Sequence, residues 1–141
     1  MIWRDERPAY YARRVESLSL KDELFASGKI AFNGAGSDSG VYLGWFNSNS
    51  KTNKTTSDHI QPQANVLAVL LEGPSRIGHY FRAAYATAKG EGVIRDSGPI
   101  IRPDGRAHQW SIHYLPKSGT INVRLDDDTA TITINAEHRQ Q

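Results

Sequence analysis

Cysteine is absent from the chain. Its absence excludes disulfides and thiolate metal sites, but the compartment stays open because many exported proteins also lack cysteine. Charge of one sign is scarce as well: Lys plus Arg is 17 and Asp plus Glu is 15 in 141 residues, a formal net charge of +2. So small an excess does not by itself imply a nucleic-acid surface, and none is expected. No apolar run approaches the roughly 20 residues that a bilayer-spanning helix needs. The N-terminal stretch, residues 1–8, mixes charges of both signs and has no apolar stretch after it, so no signal peptide is read there. That pattern fits a soluble chain that stays inside, or a part of a longer exported product. Sustained helical periodicity is missing beyond residue 28, as are internal repeats and low-complexity tracts.

What is present is ordinary globular composition, 38% hydrophobic and 23% charged, at the length of one domain. Residues 1–27 are read as an N-terminal segment that packs on or completes a β-sandwich formed by residues 28–141. Within the first part, Tyr10, Tyr11, Val15, Leu18, Leu20, Leu24 and Phe25 fit neither the helical nor the strand period. A short helix over residues 20–26, capped by Ser19, is the expectation there. Arg13 and Arg14 read more plainly as a solvated pair than as a basic contact.

From Gly28 onward, strands separated by Gly, Asn, Ser and Asp take over. Val41, Leu43 and Trp45 share one face of a strand, and Tyr42, Gly44 and Phe46 the other. Residues 47–63 contain no apolar residue except Ile60 and are read as a long exposed loop, within which Asn53, Lys54 and Thr55 match the N-glycosylation pattern. Residues 64–71 form an apolar run too short for a typical helix, which fits a central strand buried on both faces. Residues 77–88 suggest one long strand.

Residues 107–135 carry the clearest signal. His108, Trp110, Ile112 and Tyr114 alternate with Gln109, Ser111 and His113; Ile121, Val123 and Leu125 alternate with Thr120, Asn122 and Arg124; a third strand follows the acidic turn at Asp126. Each strand has one apolar and one polar face, as in an antiparallel sheet with one side on the core. The expected fold class is therefore all-β, two antiparallel sheets face to face. Trp45 and Trp110 are assigned to the core. The polar face offers Gln109, His113, Asn122 and Arg124, with Tyr80 and Arg82 joining from the long strand if the registers agree. Such a mixture of amide, imidazole and guanidinium groups suits sugar hydroxyls, against the plainer reading of a solvent-facing sheet.

The spacing His108-x-Trp110-x-Ile112-x-Tyr114, followed by Gly119-x-Ile121-x-Val123-x-Leu125-Asp126, resembles the concanavalin A-like lectin/glucanase superfamily, especially its laminin-G-like branch. The resemblance implies a jelly-roll sandwich with a glycan site on a concave sheet or at its rim, that is, a carbohydrate- or protein-binding module. Relatives usually add one more strand after the last one here, so either the N-terminal segment supplies it or an exposed edge invites a homodimer. Glycosidases of that fold need two carboxylates about 5 Å apart on one face, and no Glu-x-Asp-x-Glu run supplies them. A hydrolase with rearranged carboxylates is the rival, with Asp126 and Asp128 nearest to the task. The same turn could bind calcium through Asp126 and Asp128, with Asp38 as a distant ligand, although Asp in a turn serves backbone hydrogen bonding by default. Ser111, His113 and Asp126 make a triad only on paper, with no nucleophile elbow or oxyanion element.

Overall fold

In chain order the computed structural model, which describes residues 2–4 and 7–9 as backbone and 11–33, 40–50, 64–72 and 78–140 in full, contains eleven strands. They are β1 (Ile2–Arg4), β2 (Arg7–Ala9), β3 (Leu24–Ala31), β4 (Gly40–Phe46), β5 (Val66–Glu72), β6 (His79–Ala86), β7 (Gly92–Ile94), β8 (Ile100–Ile101), β9 (Ala107–Leu115), β10 (Thr120–Leu125) and β11 (Asp128–Thr133). One sheet runs β2-β1-β4-β5-β6-β7 with β8 also paired to β6, and the other runs β11-β10-β9-β3. Every pairing is antiparallel. The all-β, two-sheet expectation holds.

The inner faces of both sheets meet in one core. Leu67, Val69, Leu71, Phe81, Ala83 and Tyr85 from the larger sheet join Leu24, Ile112, Tyr114, Ile121, Val123 and Leu125 from the smaller one. Phe81 meets Trp110 across the gap, ring centroids 6.5 Å apart at 60°. Trp110 fits because its register partner on β3 is Gly28: a methyl group there would approach the indole Nε1 to 3.2 Å. Both Trp45 and Trp110 pack against this core, as expected. Two-sided burial of β5 is also realised, since Val66, Ala68 and Leu70 form a second cluster with Tyr42, Ala84 and Ala86 on the outer face of the larger sheet.

Side-chain bonds tie the sheets together at their margins. Arg95, just beyond β7, donates from Nη1 to the carbonyl of Thr131 on β11 at 2.7 Å. After β11 the chain turns into a 3-10 segment at His138–Gln140, where His138 Nδ1 lies 3.0 Å from the Tyr85 hydroxyl and Arg139 donates to the carbonyl of Pro116. Tyr114, with no exposed surface, donates its hydroxyl to the carbonyl of Leu20 at 2.9 Å. Burial raises its phenol above the usual range against an opposing pull from Arg139, so it remains a donor.

The N-terminal third departs from expectation in one respect. No helix covers residues 20–26: Leu20 and Lys21 form a turn, and β3 begins at Leu24. Ser19 does organise that turn, its N–H and Oγ both donating to Asp22 Oδ2 at 2.8 and 3.0 Å. Strand pairing outcompetes the local helix because Leu24 to Ala31 finds a full partner in β9, from Leu24 opposite Tyr114 to Ala31 opposite Ala107. Further upstream, β1 pairs with β2 on one side and with β4 on the other, so both belong to the larger sheet. No helix among the described residues is long and apolar enough to cross a membrane. The glycosylation triplet at Asn53 and the loop acid Asp38 lie outside the described residues.

Candidate functional site

The outer face of the four-stranded sheet is built by alternation alone. Because β9 turns His108, Trp110, Ile112 and Tyr114 inward, Gln109, Ser111 and His113 must face out. The registers then fix their neighbours. His113 lies between Asn122 on β10 and Phe25 on β3, with Thr131 of β11 beyond Asn122, so Phe25, His113, Asn122 and Thr131 form one row across all four strands. Ser27, Ser111, Arg124 and Thr129 form the next row, and Lys29 stands opposite Gln109 in a third.

Polar contacts hold part of this surface and leave part of it open. His113 Nε2 lies 2.6 Å from Glu23 Oε1, and its ring meets the edge of Phe25 at 5.5 Å and 87°. Phe25 is 61% exposed, a large apolar ring standing on a polar sheet. The hydroxyl of Thr131 donates to Asn122 Oδ1 at 2.7 Å, which fixes the amide so that its two N–H donors are free. The side chains of Ser27, Lys29, Gln109 and Ser111 have no hydrogen-bond or ion-pair partner among the described residues.

At the end of the face, Asp126 is held in place rather than offered to a ligand. The residue sits at φ 52°, a left-handed conformation that Asp tolerates by local hydrogen bonding. Its N–H donates to the Gln109 carbonyl at 2.8 Å, Gln109 N–H donates back to Oδ1 at 2.9 Å, and His108 Nδ1 lies 2.7 Å from Oδ2. The carboxylate thus replaces a ladder acceptor and extends the β9–β10 pairing past Leu125. The hydrogen bond from His108, then that from Gln109, holds its carboxyl below the usual carboxylate range. A depressed native pKa means that the ionised form favours the fold. This contribution is complete above the unfolded-state value, about 3.9, and disappears as pH falls through the lower native value. Asp126→Asn is therefore expected to lower the melting temperature at neutral pH, with the gap to the unmodified protein narrowing below about pH 4. Parallel melting curves from pH 7 to the acid limit of solubility check this, and a gap that persists unchanged at low pH would contradict it.

Of the residues read as a binding face, Gln109, His113, Asn122 and Arg124 come together on this surface. Tyr80 and Arg82 do not join them. β6 belongs to the other sheet, where they occupy its outer face with Arg82 over the Tyr80 ring at 4.8 Å and ion-paired to Glu72 at 2.7 Å. The core separates the two sets. Phe25, missed because it was placed in a helix, is among the described residues the large apolar ring exposed on the polar face; its alternation with Leu24, Ala26 and Gly28 was the available signal.

Asp126 in the acidic turn is committed to protein donors. Both oxygens of Asp126 are engaged by donors of β9, and no group of three His, Asp or Glu side chains among the described residues is placed to hold a metal ion. The Ser111, His113 and Asp126 combination is not assembled either, since His113 binds Glu23 and Asp126 binds His108. Arg124 leans over the same turn, donating from Nε to the Asp126 carbonyl and reaching Asp127 at 3.4 Å.

The arrangement defines a class: an antiparallel two-sheet β-sandwich with an open, mixed aromatic and polar sheet face. Compared with family models, curated proteins and solved structures, the chain matches none.

Proposed function

We propose that the protein is a non-catalytic binding module that holds a glycan on the outer face of its four-stranded sheet, in a sandwich of the concanavalin A-like jelly-roll type. The observation that carries this reading is the row Phe25, His113, Asn122 and Thr131, in which an exposed ring stands next to fixed polar groups with unused donors. A pyranose has one apolar face and a rim of hydroxyls. An aromatic ring takes the first, and amide, imidazole and hydroxyl groups at fixed spacing take the second. Catalysis finds less support, because the carboxylates nearest this face are engaged: Glu23 by His113 and Asp126 by His108 and Gln109.

A panel of immobilised oligosaccharides, followed by amide chemical-shift mapping of any sugar retained, tests the reading. The expected shifts fall on β3, β9 and β10. Retention of no sugar at all, or shifts confined to the Tyr80 and Arg82 face, would overturn it.

A further inference from the structure

We infer that the protein self-associates through β3, two copies pairing antiparallel along that edge so that their smaller sheets join into one continuous sheet. The edges of the smaller sheet are β11 and β3. Along β9 the bonding directions are set by Gln109, whose N–H and C=O both turn toward Asp126 at the end of β10. Directions alternate in an antiparallel ladder, so Gln109, Ser111 and His113 bond β10 while Trp110, Ile112 and Tyr114 bond β3. The groups of β3 used in this way are those of Gly28, Ala26 and Leu24, which leaves the N–H and C=O groups of Phe25, Ser27 and Lys29 pointing away from the sheet. No backbone hydrogen bond among the described residues reaches them. The opposite edge is not equivalent. By the same alternation Thr131 presents its carbonyl outward from β11, and Arg95 takes it at 2.7 Å. β3 runs eight residues with no proline and no bulge, which makes it a template for a further strand.

The occupant is a second copy because the strand is complementary to itself. Backbone parity requires residues with outward-pointing groups to face one another, so a twofold axis passes through a residue of β3 and not between two. With the axis at Ala26, Glu23 stands opposite Lys29 of the second copy, and the pair occurs twice. Lys29 has no ion-pair partner among the described residues of its own chain, and Glu23 keeps one carboxylate oxygen beyond the one that meets His113. Opposite charges facing across strands stabilise a pairing and like charges oppose it. Lys29, a residue that discourages most edge pairings, thus selects this one. In the same register the two Phe25 rings become diagonal neighbours, within reach of each other. A ring that is 61% exposed in the single chain gains an apolar contact. On the inner face Ala26 meets its own copy and Leu24 meets Gly28, which covers inward positions that β3 leaves half-buried. The inference does not rest on the glycan reading.

Sedimentation velocity on the full chain, from about 10 μM to 1 mM, is expected to show a monomer–dimer equilibrium, the range suiting a contact as small as one strand edge. Amide hydrogen exchange across the same concentrations locates the contact. The amides of Phe25, Ser27 and Lys29 should slow as the dimer forms, whereas those of Ala26 and Gly28, bonded to β9, should be slow throughout. Ser27→Pro removes an N–H that the single chain does not use, at an edge position where proline is tolerated. This variant should keep slow exchange at Gly28 and stay monomeric at the highest concentration. Lys29→Glu, a surface change that spares the backbone, should weaken the dimer about tenfold, and combining it with Glu23→Lys should restore the affinity to within about threefold. A chain that is monomeric throughout overturns the inference, as does a dimer in which the Phe25, Ser27 and Lys29 amides still exchange fast or one that Ser27→Pro leaves intact. A charge swap that does not restore the dimer overturns the pairing of Glu23 with Lys29.

Discussion

Phe81→Ala should lower the unfolding free energy by about 3–5 kcal/mol, the usual range when a buried aromatic is truncated and its cavity remains. The size of the effect follows from position. Phe81 has no exposed surface, its register partner is Leu71, and it reaches across the sandwich to Trp110. Its own backbone N–H is held by the Pro99 carbonyl at 2.8 Å, so β6 is fixed on that side and cannot slide inward to fill the void. The indole opposite is seated over Gly28, which leaves Trp110 little room to follow. Against a total stability of about 5–15 kcal/mol for a domain, such a loss removes a large share of the margin. Urea unfolding monitored by tryptophan fluorescence checks it, with Phe81→Leu, which leaves a smaller cavity, as the control expected to lose less than the alanine variant. An alanine variant within about 1 kcal/mol of the unmodified protein would mean that the two sheets do not share one core at this point.

The same contact explains what could be read in advance and what could not. β9, β10 and β11 were legible because apolar residues recur at every second position and short polar turns join them, so both register and facing are local properties. β5 was legible as an apolar run bounded by Gly and Pro. The start of β3, Leu24 to Ala26, was misread for a physical reason. The inward positions of the strand are Leu24, Ala26, Gly28 and Ile30, and the third of these is a glycine because Trp110 fills the volume above it. The hydrophobic signal of that strand therefore resides in another strand's side chain, while its largest apolar residue, Phe25, points outward. β8, two residues long, carries no periodicity to detect. Gln109, His113, Asn122 and Arg124 lie on one face because one hairpin carries them all. Tyr80 and Arg82 share the alternating pattern, but which sheet a strand joins depends on pairings across distant parts of the chain, and alternation holds no information about that.

If the proposed sheet face holds a glycan, replacing Phe25→Ala and His113→Ala together should abolish its retention, a loss of at least about a hundredfold, with the fold intact. Binding energy at an interface concentrates in a few residues, with exposed aromatic anchors foremost among them. Among the described residues Phe25 is the one large apolar ring on this face, and truncating it deletes the stacking surface for a sugar's apolar side. His113 holds the ring edge-on and carries the bond to Glu23, so its removal both frees Phe25 to reorient and leaves a carboxylate facing the ligand. Because the two side chains touch, the single variants should not add: either alone lets the other move, and the double loss should be smaller than the sum. Stability should change little, since Phe25 is more exposed than buried and the His113 pair with Glu23 lies at the surface, where such pairs contribute about 0–1 kcal/mol. Retention on the same sugar panel, measured beside the melting temperature, separates the outcomes. Lost binding with an unchanged melting temperature places the ligand on this row, whereas full retention by the double variant would move the site off the polar face altogether.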